Sequence, residues 1–250
     1  MGDVQRGRVK VETSQKRVRV YLGGHVVADT AHPVLVWESP HYPTYYLPTA
    51  DMQAKLEPNG TTHRSPSRGD ATGYDIVIDG ITAKGAALRY HDSPIPELND
   101  LIRLEWNAMD EWLEEDEPVY VHPRDPYSRV DILASSRHVR VEIGGVTVAD
   151  SHSPRMLFET GLPARYYLPL ADVRMDLLQA SDTHTSCPYK GTADYWNVRV
   201  GEAEYADYVW IYRTPLPESQ KIAGLACFYN EKVDIYVDGE LQERPRSPFS

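Results

Sequence analysis

The chain has little cysteine. Of its 250 residues only Cys187 and Cys227 are cysteines, and they form no C-x-x-C pair. That excludes a disulfide framework and a cysteine-built zinc site. Phenylalanine is scarce as well, three residues against seventeen tyrosines, so most aromatic surface ends in a hydroxyl. No apolar run is long enough to span a bilayer, and the first residues, "MGDVQRGRVKVET", contain no apolar leader segment. A cytoplasmic protein without membrane contact is expected. Positive charge is also in short supply: 26 Lys and Arg against 37 Asp and Glu leave a net charge of −11. A nucleic-acid partner needs a basic patch, so none is expected. The basic residues over 6–19 are few and interrupted by acids, and residues 1–16 read as a solvated tail. There is no D-x-D, no glycine-rich phosphate loop, and no H-x-H or H-E-x-x-H among nine histidines. Neither a metal nor a cofactor is expected.

What the chain does have is repetition. "RVRVYLGGHVVADTAHP" at 17–33 matches "HVRVEIGGVTVADSHSP" at 138–154, "YYLPTAD" at 45–51 matches "YYLPLAD" at 166–172, and "DSPIPE" at 92–97 matches "RTPLPE" at 213–218. Each pair lies 121 residues apart. A constant offset over such a length means duplication of one folding unit, and units of this size are domains rather than solenoid repeats. The expected division is a tail at 1–16, a first domain at 17–113, a packed connector at 114–136, a second domain at 137–245 and a tail at 246–250.

Within each copy, apolar and polar residues alternate with period two, and Gly, Pro, Asn or Asp punctuate the runs. "RVRVYLGGHVVAD" reads as two strands about a Gly-Gly hairpin turn. Nineteen prolines disfavour long helices, so helical turns should be short, as at "LPTADMQAKL" and "LPLADVRMDLLQ". "PELNDLIRLEWNAMDEWLEED" has a helical composition, but its counterpart "PESQKIAGLACFYNEKVDIYVDG" reads as strand, turn, strand. Duplicates share a fold, so both are expected to be extended.

The second copy contains Ala149-Asp150, Glu159, "RYYLP" at 165–169, Asp172, then Thr185, Cys187, Lys190, Gly191, Ala193 and Tyr195 in a TxCxxKGxAxY pattern. Trp210, Tyr212, Pro215, Phe228-Tyr229 and Val233-Asp234 follow. Over 137–245 this resembles the DUF427 family, and TxCxxKG is its most specific element. The first copy keeps Glu38, "TYYLP", Asp51 and Trp106, but it loses the cysteine and has Arg68 for the lysine. The resemblance implies a mainly antiparallel β-domain of tent-like sheets over a cleft. A nucleotidyltransferase label attaches to the family; the sequence has neither the D-x-D nor the glycine-rich phosphate loop that such chemistry commonly uses, which weakens the label and leaves convergence of distant carboxylates open.

Chemistry concentrates in the second copy. Cys187 sits in a polar loop with His184 three residues before it and Lys190 three after, and a neighbouring cation favours the nucleophilic thiolate. Glu159 can orient that cation or act as an acid or base. Cys227, in the apolar run "IAGLACFY", reads as core. Tyr45-Tyr46 and Tyr166-Tyr167 are adjacent in extended chain, so one of each pair points into the core and the other can line a cleft. The expected catalytic set is Cys187, Lys190, Glu159 and Tyr166. The expected ligand-binding set is Tyr167, His184, Thr185 and Tyr195, with Arg68, Glu38 and Tyr45 in the first copy. A small-molecule ligand or substrate fits these residues. The first reading is an enzyme of thiol- or lysine-assisted acyl transfer or hydrolysis. The alternatives are a non-catalytic binder of anionic or aromatic small molecules and a structural or interaction protein.

Overall fold

A computed structural model describes residues 9–247. The chain divides into two units, Met1–Asp125 and Pro126–Ser250. Each is a pair of antiparallel sheets, one of seven strands and one of four. In the second unit the large sheet runs, edge to edge, Val130–Ala134, Arg155–Glu159, Arg165–Leu168, Ala226–Phe228, Ala203–Ile211, Gly191–Val200 and Leu178–Cys187. Its small sheet is Val146–Ser151, Val139–Ile143, Asp234–Val237 and Glu240–Leu241. The first unit repeats the seven-strand order, with Lys10–Thr13, Val34–Trp37, Thr44–Pro48 and Leu101–Leu104 leading into three long strands.

The period-two pattern explains the strands. "VRVYL" and "VRVEI" alternate between buried valine, leucine or isoleucine and half-buried polar or aromatic residues. Each turns back through two glycines, Gly23-Gly24 and Gly144-Gly145, all at positive φ, as a two-residue hairpin whose twist matches its strands requires. Helical structure is limited to short 3-10 turns such as Thr49–Asp51, Leu170–Asp172 and Pro217–Ile222. The segment with helical composition is extended, as its counterpart indicated: Leu101–Leu104 and Glu111–Glu114 are strands. Among the described residues no helix is long and apolar enough to cross a membrane.

The large sheet of the second unit is covered on both faces. One face packs Leu168, Val209 and Phe228 against Val139, Val141 and Ile143 of the small sheet. The other face gathers Leu157, Tyr167, Trp210 and Cys227 under Ile222 of the 3-10 turn Pro217–Ile222. Ile222 is fully buried, and sealing a side chain of that size contributes about 1.5–3 kcal/mol. The first unit has the same two cores, with Leu98 of its 3-10 turn Pro96–Leu98 over Tyr46 and Tyr90.

Two expected boundaries differ from the structure. Lys10–Thr13 lies in the segment read as a tail, yet it pairs antiparallel with Val34–Trp37 and completes the sheet edge. The stretch 114–136 is no separate connector. Glu117–Pro118 pairs in the first unit and Val130–Ala134 pairs in the second. In both cases the strand's pairing partner, invisible locally, decides the structure. The remainder of the expected N-terminal tail, 1–8, and positions 248–250 lie outside the described residues.

Candidate functional site

Strands Leu178–Cys187 and Gly191–Val200 form a hairpin in which Cys187 faces Gly191 across a three-residue loop, 188–190. Gly191 has φ +93°, a left-handed conformation that closes such a loop and that a side chain would strain. The loop is tied to the covering turn. The Leu216 N–H donates to the Lys190 carbonyl at 3.1 Å, and the Ser219 hydroxyl donates to the Tyr189 carbonyl at 3.0 Å. Alternation then assigns the faces. Thr185 and Cys187 share one face with Tyr195 and, across the next pairing, Trp210. That is the face covered by Ile222.

On this face the Lys190 ammonium donates to the Glu159 carboxylate, which ends the strand Arg155–Glu159. Their side chains are only 12% and 8% exposed, so this is a largely buried ion pair. Burial by itself would lower the lysine's pKa. The opposing charges and hydrogen bonds of Cys187 and Glu159 outweigh it and hold the value above that of an ordinary lysine. Lys190 therefore remains an ammonium at neutral pH: it is a fixed cation and not a base. The Tyr212 phenol is pushed up, first by burial and then by the charges of Cys187, Tyr195 and Glu159. It stays protonated and can only donate or share its proton.

Behind these groups runs a chain of hydroxyls. Tyr195 OH is 2.9 Å from Thr185 Oγ1 and 3.2 Å from Tyr229 OH. Trp210 Nε1 donates to Tyr167 OH at 3.1 Å. A second buried pair closes the far side, where both Arg165 terminal nitrogens donate to the Glu231 carboxylate at 2.7 Å. The Arg165 guanidinium also lies 5.5 Å from the Trp210 ring. Arg165, Trp210, Tyr212, Tyr229 and Glu231 were not among the expected site residues. The signal was present, because Arg165 alternates with Tyr167, and Trp210 with Tyr212, on strands that share the Tyr195 face.

Cys187, Lys190, Glu159, Tyr167, Thr185 and Tyr195 are thus brought to one face. Three expected members are not. Tyr166 packs against the core between the two sheets, and Tyr45 does the same in the first unit, where its hydroxyl donates to Glu114 at 2.7 Å. In each adjacent pair the second tyrosine, 46 or 167, points to the site face. His184 alternates away from Cys187; it is 58% exposed and lies 3.0 Å from Asp194. Cys227 is core as expected, and burial pushes its thiol up to about 12.

The first unit has a closed version of the same cluster. Tyr46 OH donates to Glu38 at 2.5 Å, Arg68 Nη2 lies 3.8 Å from Glu38 and Arg103 Nε 3.3 Å from it, and Arg68 Nε donates to Tyr90 OH at 3.1 Å. By strand register Arg103 stands where Cys227 stands, and Ser65 where Cys187 stands. Two guanidiniums neutralise Glu38, and no thiol remains.

A cavity of about 310 Å³ in the second unit is lined by Ser153, Arg155, Lys221 and neighbours, with none of the Lys190 group. Its lining has cations but no thiol and no carboxylate. The site face has no metal-ligating cluster. Among the described residues the one such group is His138, Asp150 and His152, elsewhere in the second unit.

No curated protein matches the chain. The profile of a domain of unknown function, DUF427, matches it twice, over 10–115 and 131–239. Both matches fall within the two structural units and together span most of the sequence. The chain belongs to the DUF427 family, in two tandem copies.

Proposed function

We propose that the second unit is a small-molecule enzyme of thiol-dependent acyl transfer or hydrolysis, with Cys187 as nucleophile. The observation behind this reading is the Lys190 ammonium, fixed by Glu159 and held next to the half-exposed Cys187. A cation in that position favours a thiolate. The thiolate attacks an acyl carbonyl carbon and forms a carbon–sulfur bond. The carbonyl electrons move to oxygen, where the protonated Tyr212 phenol donates. The carbonyl reforms as the bond to the leaving group breaks, and the leaving group takes a proton from water. Water or an acceptor then attacks the thioester, gives its proton to solvent and releases the thiolate. Lys190 is not the nucleophile in this reading, because an ammonium has no lone pair. Tyr195 and Thr185 supply hydroxyls for a polar substrate, and a free nucleophilic thiol suits a reducing, cytoplasmic setting.

A specific observation favours a second reading. In the first unit Arg68, Glu38, Tyr46 and Tyr90 form the same cluster without a thiol, which suits binding without turnover. One experiment separates the two. Full-length protein is incubated with a panel of activated esters and thioesters and analysed by intact mass and peptide mapping. The enzyme reading predicts an acyl adduct on Cys187 that turns over, absent in Cys187→Ser. Retention of ester cleavage in Cys187→Ser removes Cys187 as the nucleophile, and no adduct with any acyl donor together with no cleavage leaves the binding reading.

A further inference from the structure

We propose a divalent transition-metal site on the small sheet of the second unit, formed by His138, Asp150 and His152 and suited to an ion of the zinc class. Asp150 and His152 stand two residues apart on one strand end, and His138 meets them through the hairpin. Val139 pairs with Ser151 and Arg140 with Asp150, so one step further His138 stands across from His152, with Asp150 on the diagonal. All three therefore lie on one face. One ligand atom from each lies within 4.8 Å of the others, and His138 Nε2 is 2.7 Å from Asp150 Oδ1. The two imidazole rings lie nearly parallel with centroids 4.2 Å apart.

Imidazole and carboxylate together suit zinc and its neighbours in the first transition row. A tetrahedral ion with bonds of roughly 2.0–2.1 Å holds its donors about 3.3–3.4 Å apart. The cluster needs to contract by no more than about 1.5 Å at its widest and to widen slightly between His138 and Asp150, which rotation of the side chains supplies. Three protein donors leave the fourth position open. The first unit provides a contrast. There Arg17 takes the place of His138 and Ala31 that of His152, and the Arg17 guanidinium pairs with Asp29 at 2.5 and 2.7 Å. The carboxylate that is neutralised by a guanidinium in one copy faces two imidazoles in the other. Neighbouring charges leave the site open. Arg137 pairs with Asp238 at 2.7 Å, and Arg140 lies over the Tyr236 ring at 4.3 Å and beside Glu142 at 3.3 Å.

Zinc chloride is titrated by calorimetry into the full chain, purified without a metal-binding tag and stripped with chelator, at neutral pH. The wild type and Cys187→Ser are expected to bind one zinc per chain alike, since the thiol is not a ligand. His152→Ala, a change at an exposed side chain, should weaken binding at least as much as loss of an outer-sphere partner does, about 10–100-fold. His138→Arg recreates the first unit's ion pair and should abolish binding while the far-ultraviolet spectrum stays that of the wild type. Zinc binding that survives both histidine variants, or that disappears with Cys187→Ser, overturns the proposal. So does the absence of saturable binding to the wild type.

Discussion

Replacing Glu159 with alanine is expected to destabilise the second unit by about 3–5 kcal/mol, the cost of breaking a buried ion pair from one side. Lys190 would be left with its ammonium largely out of water and without a carboxylate. Its pKa is held up against burial by Cys187 and Glu159 together, so removing Glu159 lets burial pull it down. Deprotonation of Lys190 then limits the loss. The matched control is Glu159→Leu with Lys190→Met, which removes both charges and should cost much less than the alanine change. Urea unfolding followed by tryptophan fluorescence measures both, with the two units fitted as separate transitions. A loss below about 1 kcal/mol for Glu159→Ala would show an ion pair that behaves as a surface contact.

Arg165→Met should have an effect of similar size and a distinct pH dependence. The Glu231 side chain is 1% exposed and receives both terminal nitrogens of Arg165. Removing the guanidinium strands a carboxylate, again at about 3–5 kcal/mol. Burial would raise the Glu231 pKa, but the hydrogen bonds from Arg165 and Ser247 prevail and hold it below the ordinary glutamate value. A carboxyl whose folded pKa is lowered contributes stability above its unfolded value, about 4.3, and loses that contribution as pH falls through the folded value. The wild type should therefore lose this contribution on acidification below about pH 4.3. The gap between wild type and Arg165→Met should narrow over the same range, because a protonated Glu231 no longer needs its partner. A gap that is independent of pH would assign Arg165 to packing on Trp210 and Tyr229 alone.

The fold was legible because duplication states every signal twice. The 121-residue offset marked two units, and the second copy's strand pattern decided an ambiguous first-copy segment that did prove extended. The edge strand Lys10–Thr13 was not legible, since four residues show little alternation and only the partner Val34–Trp37 defines them. The site was read in part. Lys190 pairs with Glu159, and a tight loop places Lys190 beside the Cys187 thiol. Which tyrosine of each pair faces the cleft was not legible, because adjacent strand residues point oppositely and tyrosine suits either side; Tyr45 and Tyr166 pack between the sheets. His184 failed by the same alternation. The His138, Asp150 and His152 group escaped spacing rules because His138 joins Asp150 and His152 only across the strand pair.

The central claim is that the ammonium of Lys190 governs the reactivity of the Cys187 thiol. Its most direct measurement is the rate of Cys187 alkylation by iodoacetamide across pH, in wild type and Lys190→Met, with circular dichroism confirming that both are folded. The account predicts that the Lys190→Met profile lies at higher pH than that of the wild type, because the neighbouring cation is gone. Superimposable profiles, or a Cys187 that stays inert until strongly alkaline pH in both proteins, would contradict it.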